Sequence, residues 1–220
     1  MNSPLEPSDC ATSLVSSFYD RFPYPPDSVS DGPPPGYNWR WCVDAAYAFC
    51  SGAVAAKSES RESLQILDAG CGSGVSVDYI AHLNPGAEIL AVDISAGTLQ
   101  RARERLIRSG ANKESSVRIE NRNLLELEGE GPFDYINSVG VLHHLSNPEE
   151  GLKALGSLLK PGGLMHLFLY ANSGRWEIHR AQRVLKVLGL GGFKEDLRLA
   201  RNFFNSLPKN NQIRRNYEER

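Results

Sequence analysis

The chain has 220 residues, 41% of them hydrophobic and 23% charged, which is enough for one sizeable core with a short appended segment. Its formal net charge of −2 argues against a protein whose main task is to grip nucleic acid through charge. No apolar run approaches the ~18 residues of a membrane span, and the first twenty residues lack the basic start and apolar centre of a secretory signal. Cys10, Cys42, Cys50 and Cys71 form no CxxC pair, so reduced thiols in a cytoplasmic setting are expected, with no metal site.

Residues 1–12 are polar and read as a frayed end. Leu14, Val15, Phe18, Tyr19 and Phe22 suggest a short amphipathic helix, ended by prolines at 23, 25 and 26. Pro23 to Gly36 reads PYPPDSVSDGPPPG, which is neither helix nor central strand, because proline fixes φ and has no donor. A semi-rigid extended arm is expected there. Tyr37 to Cys50 carries apolar groups compatible with a second helix, and Ser51 to Ser63 includes a linker.

From Leu64 a regular alternation begins. Strands are expected at about 65–69, 88–93, 117–121, 135–139 and 164–170. Helices fall between them: about 74–83, then one capped by Ser95 and ended by Gly110, then one opened by Asn147-Pro148 and stopped by Lys160-Pro161-Gly162-Gly163. Two more helices follow, at about 174–188 and 194–206, before a polar tail. Alternating strands and helices imply an α/β fold, a parallel sheet of about five strands with helices on both faces.

The stretch QILDAGCGSG, Gln65 to Gly74, is a buried strand running into a glycine turn and then a helix, the arrangement that builds a ligand site at the strand ends of an open sheet. Side chains at Gly70, Gly72 and Gly74 would block a close ligand approach to the backbone. Asp68 just before the turn suits a ligand carrying an ammonium or other cation and repels a pyrophosphate. The spacing also lacks the third glycine of G-x-G-x-x-G, since position 75 is valine. Asp93 ends the second strand, where a carboxylate can accept both hydrogen bonds of a ribose diol.

LDAGCGSG, then AVDIS, then FDYINSVGVLHHL, then LLKPGGLMHLFLY together resemble a class I S-adenosylmethionine-dependent methyltransferase, with its Rossmann-like three-layer sandwich, over roughly residues 64–171. The resemblance implies S-adenosylmethionine as cofactor, with its methionine part and ribose at Asp68, Gly70, Gly72 and Gly74. It implies ribose hydroxyls on Asp93 and adenine against Ile94, Asn123 and Leu124. Asn123 stands where the family usually carries aspartate; an amide oxygen still accepts from the adenine amine. Ser138, Val139 and Gly140 would face the sulfonium. The segment Asn137 to Gly140 departs from the (Asp/Asn)-Pro-Pro-aromatic motif of enzymes that methylate base nitrogens, which lowers a base-nitrogen target on DNA or RNA; a small-molecule acceptor is expected ahead of RNA or protein.

His143 and Tyr19 are the candidate catalytic groups, histidine because it titrates near neutral pH. The alternative for His143 and His144 is a role in holding their loop, and His166 is expected to be a packed, satisfied histidine. Residues 1–63 form a Pro- and aromatic-rich extension, residues 64–171 the cofactor-binding core and 172–220 helices and a tail. The extension is either a lid through which Tyr19, Tyr24 and Tyr37 reach the site, or an anchor on the core's flank. Residues 171–220 show none of the family's two further strands, so a truncated or split product is expected, with the fifth strand as an edge open to pairing. That leaves an inactive cofactor-binding fragment as the alternative to an active methyltransferase. A nicotinamide oxidoreductase is disfavoured by Asp68 and the glycine spacing.

Overall fold

A computed structural model describes residues 7–29, 38–52, 63–171, 173–190 and 194–218. Five strands form one sheet: β1 (Gln65–Ala69), β2 (Glu88–Asp93), β3 (Ser116–Asn121), β4 (Phe133–Val139) and β5 (Leu159–Phe168). Their order is β3-β2-β1-β4-β5 and every pairing is parallel. The order reverses at β1, so the crevice above the C-terminal ends of β1, β2 and β4 is the switch point of the sheet.

Helices cover both faces. On one side lie α2 (Val43–Ser51), α3 (Val75–Leu83), α4 (Ala96–Ser109) and the single turn α5 (Ala111–Glu114). They bury Val43, Val77, Ile80, Leu99 and Leu106 against Ile66, Ile89 and Tyr135. On the other side α6 (Pro148–Ser157) and short 3-10 turns at Leu124–Glu126 and Leu142–His144 bury Leu124, Leu142 and Leu155 against Leu67, Leu90 and Ile136. Adjacent residues of β1 thus serve opposite cores, as a period of two requires. Both Ile66 and Leu67 are fully buried, each worth about 2 kcal/mol in apolar area removed from water.

The caps follow the expected chemistry. Ser95 Oγ accepts from the Thr98 amide at the start of α4, and Asn147 caps α6 with proline in its first turn. Gly110 ends α4 in the left-handed region at φ 79°.

Several boundaries differ from expectation. A helix α1 spans Pro7–Arg21, so residues 7–12 are not frayed; proline at the first helical position has no amide to leave unpaired. The segment after Asn38 is a 3-10 turn, Trp39–Trp41, and only then α2. β5 begins at Leu159 because Lys160 to Gly163 continue beside β4 through a register shift, with Phe133 opposite Leu159 and Tyr135 opposite Leu164. Pro161 is tolerated because β5 is an edge of the sheet.

The chain divides into two compact units, Met1–Leu169 and Tyr170–Arg220. The second contains α7 (Trp176–Val187), α8 (Lys194–Ser206) and α9 (Gln212–Glu218); the polar tail thus carries a further short helix.

Candidate functional site

Asp68 lies at the C-terminal end of β1 and is fully buried. Its Oδ2 accepts from Ser76 Oγ at 2.6 Å and its Oδ1 from Asn137 Nδ2 at 2.7 Å. Asn137, opposite Asp68 in the β1–β4 register, uses its Oδ1 to accept from Trp41 Nε1 at 3.2 Å and to meet His166 Nδ1 at 2.9 Å. One amide thus ties together the strand end, the N-terminal segment and β5. Burial raises the Asp68 carboxyl to about 6, against the lowering effect of Ser76 and Asn137. The carboxylate expected to meet a ligand ammonium has both oxygens held by protein donors; from this position it acts on the turn above it through its field. His166 is satisfied, as its strand position implied.

The glycine turn has a different physical basis from the one expected. A Cβ on Gly70 would lie 2.3 Å from Val141 Cγ2, one on Gly72 2.5 Å from the Tyr24 carbonyl oxygen, and one on Gly74 2.7 Å from Ala102 Cα. All three glycines also have positive φ, 86°, 51° and 88°. Their missing side chains admit the loop after β4, the N-terminal arm and α4 respectively. Protein packing, not ligand approach alone, accounts for each glycine. Cys71 between them is buried, and burial pushes its thiol well up.

Asp93 closes the ring from β2. Its Oδ2 accepts from the Gly72 amide at 2.9 Å and its Oδ1 from the Ser95 amide at 2.8 Å. Each oxygen retains acceptor capacity for a diol. Burial raises its carboxyl, and the two amides pull it back. Asp20 on α1 accepts from Ser95 Oγ at 2.7 Å and from the Gly97 amide at 3.0 Å; these bonds hold its carboxyl below the usual range. Three carboxylates therefore surround the turn, a setting for positive rather than phosphate groups.

A cleft of about 350 Å³ opens beside Asp93, lined by Thr12, Ser13 and Ser16 of α1, with Ile94, Asn123 and Glu126 opposite. Asn123 Oδ1 accepts from the Leu125 amide at 3.1 Å, which fixes the side chain while leaving oxygen capacity for a second donor. Leu124 is buried beneath it. Helix α1 was expected to reach the site, in the lid reading, through Tyr19 alone; Thr12, Ser13 and Ser16 line the cleft as well. Its polar stripe faces the crevice, Ser16 Oγ donating to the Ile94 carbonyl at 3.0 Å, while Leu14 and Phe18 are 68% and 54% exposed. The apolar set read from the sequence is thus divided: Leu14 and Phe18 are exposed, while Val15, Tyr19 and Phe22 are partly buried. The legible signal would have been the polar series Thr12, Ser16, Tyr19 and Asp20 at helical spacing.

At the end of β4, Ser138 is buried, and among the described residues its Oγ has no hydrogen-bond partner. By strand alternation its side chain lies on the face opposite Asn137, so Ser138 offers the crevice its backbone. Val139 and Gly140 follow, and a Cβ on Gly140 would meet nothing within 4 Å. Tyr19 Oη lies 2.9 Å from His144 Nε2. The His143 ring packs on that of His144, centroids 4.3 Å apart. Of the histidine pair, Tyr19 engages His144 and not the candidate His143. Tyr24 reaches the turn with its carbonyl oxygen, 3.1 Å from the Ser73 amide; its side chain is 60% exposed and does not enter the site. Tyr37 lies outside the described residues.

Residues 67–165 match the family described as "Methyltransferase domain". An uncharacterized protein of Synechococcus sp. is 50% identical over 216 residues, 96% of this chain and 50% of that relative. The phycocyanin operon protein W of Pseudanabaena tenuis, described as uncharacterized, is 51% identical over 50% of this chain and 94% of its own length. A ubiquinone biosynthesis O-methyltransferase of Caulobacter sp. is 36% identical over 47% of this chain and 40% of its own length. The chain thus spans half the length of the Synechococcus relative. Among solved structures, PKMT2 of Rickettsia typhi in complex with AdoHcy aligns with a TM-score of 0.52 at 24% identity, covering 68% of this chain and 29% of that one. The [4+2]-cyclase SpnF aligns with a TM-score of 0.50 at 19% identity, covering 71% and 59%. A cyclase among the neighbours is a reminder that this fold alone does not set a reaction.

Proposed function

We propose that this chain, whose residues 67–165 match the methyltransferase-domain family, is a class I S-adenosylmethionine-dependent methyltransferase that holds S-adenosylmethionine over the glycine turn and transfers its methyl group to a small-molecule acceptor. The observation that carries the reading is the bond from the Gly72 amide to Asp93. It joins the two sequence motifs, 21 residues apart, into one rim with acceptor capacity facing the crevice. The O-methyltransferase activity named for the Caulobacter relative supports an oxygen acceptor within the small-molecule class.

In this reading Asp93 accepts from the ribose hydroxyls. Ile94, Asn123 and Leu124 hold the adenine in the cleft beneath α1. Gly70, Gly72 and Gly74 shape the turn along which the methionine part lies, and Asp68 below it supplies negative potential. Ser138, Val139 and Gly140 border the reacting sulfur with backbone. Bound S-adenosylmethionine supplies an activated methyl group, whose carbon passes to the acceptor while sulfur keeps the electron pair of the broken bond. The chain's own task is alignment and exclusion of water. Where the acceptor carries a proton, the Tyr19, His143 and His144 cluster beside Gly140 is placed to receive it. The N-terminal extension serves as a lid: its residues 12–25 line or touch the crevice through Thr12, Ser16, Tyr19, Asp20 and the Tyr24 carbonyl.

Calorimetry with S-adenosylhomocysteine, S-adenosylmethionine and NAD tests the reading. Both adenosyl ligands bind and NAD does not, and Asp93→Ala weakens the adenosyl ligands at least tenfold, about the worth of one lost charge-assisted hydrogen bond. An unchanged affinity in Asp93→Ala refutes the ribose contact. Binding without turnover on any hydroxylated acceptor would favour a cofactor-binding role.

A further inference from the structure

Arg105 sits in the middle of α4 and is fully buried, yet none of the ion pairs among the described residues includes it. A guanidinium taken out of water needs compensation from somewhere. Here its hydrogen bonds come from backbone carbonyls, and the Asp78 carboxyl acts on it through charge. Nε donates to Ser73 O at 3.1 Å, on the glycine turn; Nη2 donates to Asp27 O at 2.9 Å and Nη1 to Ser28 O at 3.3 Å, both on the N-terminal arm. One rigid fork therefore grips the turn and the arm together. Around it the same two segments are stitched by the Ser73 amide to Tyr24 O at 3.1 Å and by Ser73 Oγ to Pro25 O at 2.7 Å. Arg108, one turn further along α4, donates to Val29 O at 3.3 Å.

We infer that Arg105 is a positioning residue that latches the arm over the glycine turn, so that entry and release of the cofactor are both gated by breaking its bonds to Asp27 and Ser28. The inference rests on the cofactor reading above.

Three features set this apart from ordinary core packing. The acceptors on the arm are carbonyls of an extended segment with no helix or sheet to hold it, so the arm can leave without unfolding the sheet. When it leaves, water reaches the guanidinium in place of the two carbonyls; the buried Asp78 carboxyl feels the Arg105 charge but makes no ion pair with it among the described residues, so the bonds that open with the arm are those to the carbonyls. Desolvation of Arg105 and closure of the arm are thus one event. Finally, every bond of the latch joins two protein groups. The latch therefore contributes to closure with or without ligand, and loosening it should speed entry and release together while changing the dissociation constant little.

The test is stopped-flow binding of S-adenosylhomocysteine to the full chain, wild type against Arg105→Met, which keeps the side chain's apolar bulk. Arg105→Lys and Ser73→Ala are the milder variants, the latter deleting only the bond to Pro25 O. The association and dissociation rates are expected to rise together, about tenfold or more for Met, as two charge-assisted bonds would allow, and about threefold for Ser73→Ala. Hydrogen exchange over residues 22–29 should accelerate in parallel. If Arg105→Met does not fold, the same paired rise in Arg105→Lys and Ser73→Ala carries the test. A rise in the dissociation rate alone means that Arg105 acts by shaping the turn, and overturns the latch. Rates unchanged in all folded variants also overturn it, leaving a purely structural cation whose loss lowers only the melting temperature. Absence of S-adenosylhomocysteine binding in the wild type is distinct from both and sinks the cofactor reading and the latch together.

Discussion

The packing account of Gly72 makes a sharp prediction for Gly72→Ala, with Gly86→Ala as its control. Both glycines have positive φ, 51° and 81°, so both substitutions incur a left-handed backbone penalty of about 1–2 kcal/mol. At Gly86 the new Cβ meets nothing within 4 Å; at Gly72 it lies 2.5 Å from the Tyr24 carbonyl oxygen. Ordinary contact begins near 3.4 Å, so a backbone atom of the arm must retreat by roughly 1 Å. That retreat lengthens the Ser73 amide bond to Tyr24 O, now 3.1 Å, and disturbs the Ser73 Oγ bond to Pro25 O. At about 1 kcal/mol each, Gly72→Ala should open the arm about 2 kcal/mol more easily than Gly86→Ala does. Native-state hydrogen exchange over residues 22–29 should then run about thirtyfold faster in the first variant than in the second. Urea unfolding should show a global loss about 2 kcal/mol larger for Gly72→Ala than for Gly86→Ala, because the bonds lost belong to the native state. If exchange in the arm is the same in both variants, and only S-adenosylhomocysteine binding suffers in Gly72→Ala, the glycine is there for the ligand and the packing argument is wrong.

Two further predictions concern the buried network beneath the turn. Burial raises the Asp68 carboxyl to about 6, so the folded state holds this proton more tightly than the unfolded chain, whose carboxyl titrates near 3.8. Folding takes up a proton between these values: the group favours the fold below about pH 4, and that contribution is lost as pH rises to about 6, where the cost reaches roughly 3 kcal/mol. A cationic ligand over the turn prefers the charged form, so S-adenosylmethionine affinity should rise with pH through about 6, and Asp68→Asn should flatten the profile measured by calorimetry; a flat wild-type profile would remove Asp68 from cofactor recognition. Asn137→Leu strips partners from Asp68 Oδ1, Trp41 Nε1 and His166 Nδ1 at once. Denaturant unfolding should show a loss of about 3–5 kcal/mol, and a loss under about 1 kcal/mol would mean that water or repacking satisfies these groups.

How much of this was legible in the sequence follows from which interactions are local. Strand β2 was read at its observed bounds, Glu88–Asp93, because its apolar run lies between Pro85-Gly86 and a cap at Ser95. The α/β alternation, the caps at Ser95 and Asn147, and the crevice above Asp68, Gly72 and Asp93 all rest on period and turn chemistry within a few residues. β5 was started late because Pro161-Gly162-Gly163 signals a turn; only the neighbouring β4 shows that these residues continue along the sheet edge.

What the tertiary structure alone decided is the purpose of the residues already picked out. That Asp68 meets Asn137 depends on the register of two strands 69 residues apart. That Gly72 faces the arm and Gly74 faces α4 depends on what packs above each Cα. The same holds for α1, whose Ser16 and Asp20 meet the crevice rim because it offers the Ile94 carbonyl, Ser95 Oγ and the Gly97 amide. Arg105 carried no signal in the sequence, being one of several arginines on an exposed-looking helix. Its partners lie 32 to 78 residues away, and a buried cation is recognised only from the carbonyls that surround it. Composition and period state which groups a chain must hide or pair; the partner of each is set by the three-dimensional neighbours the fold brings within reach.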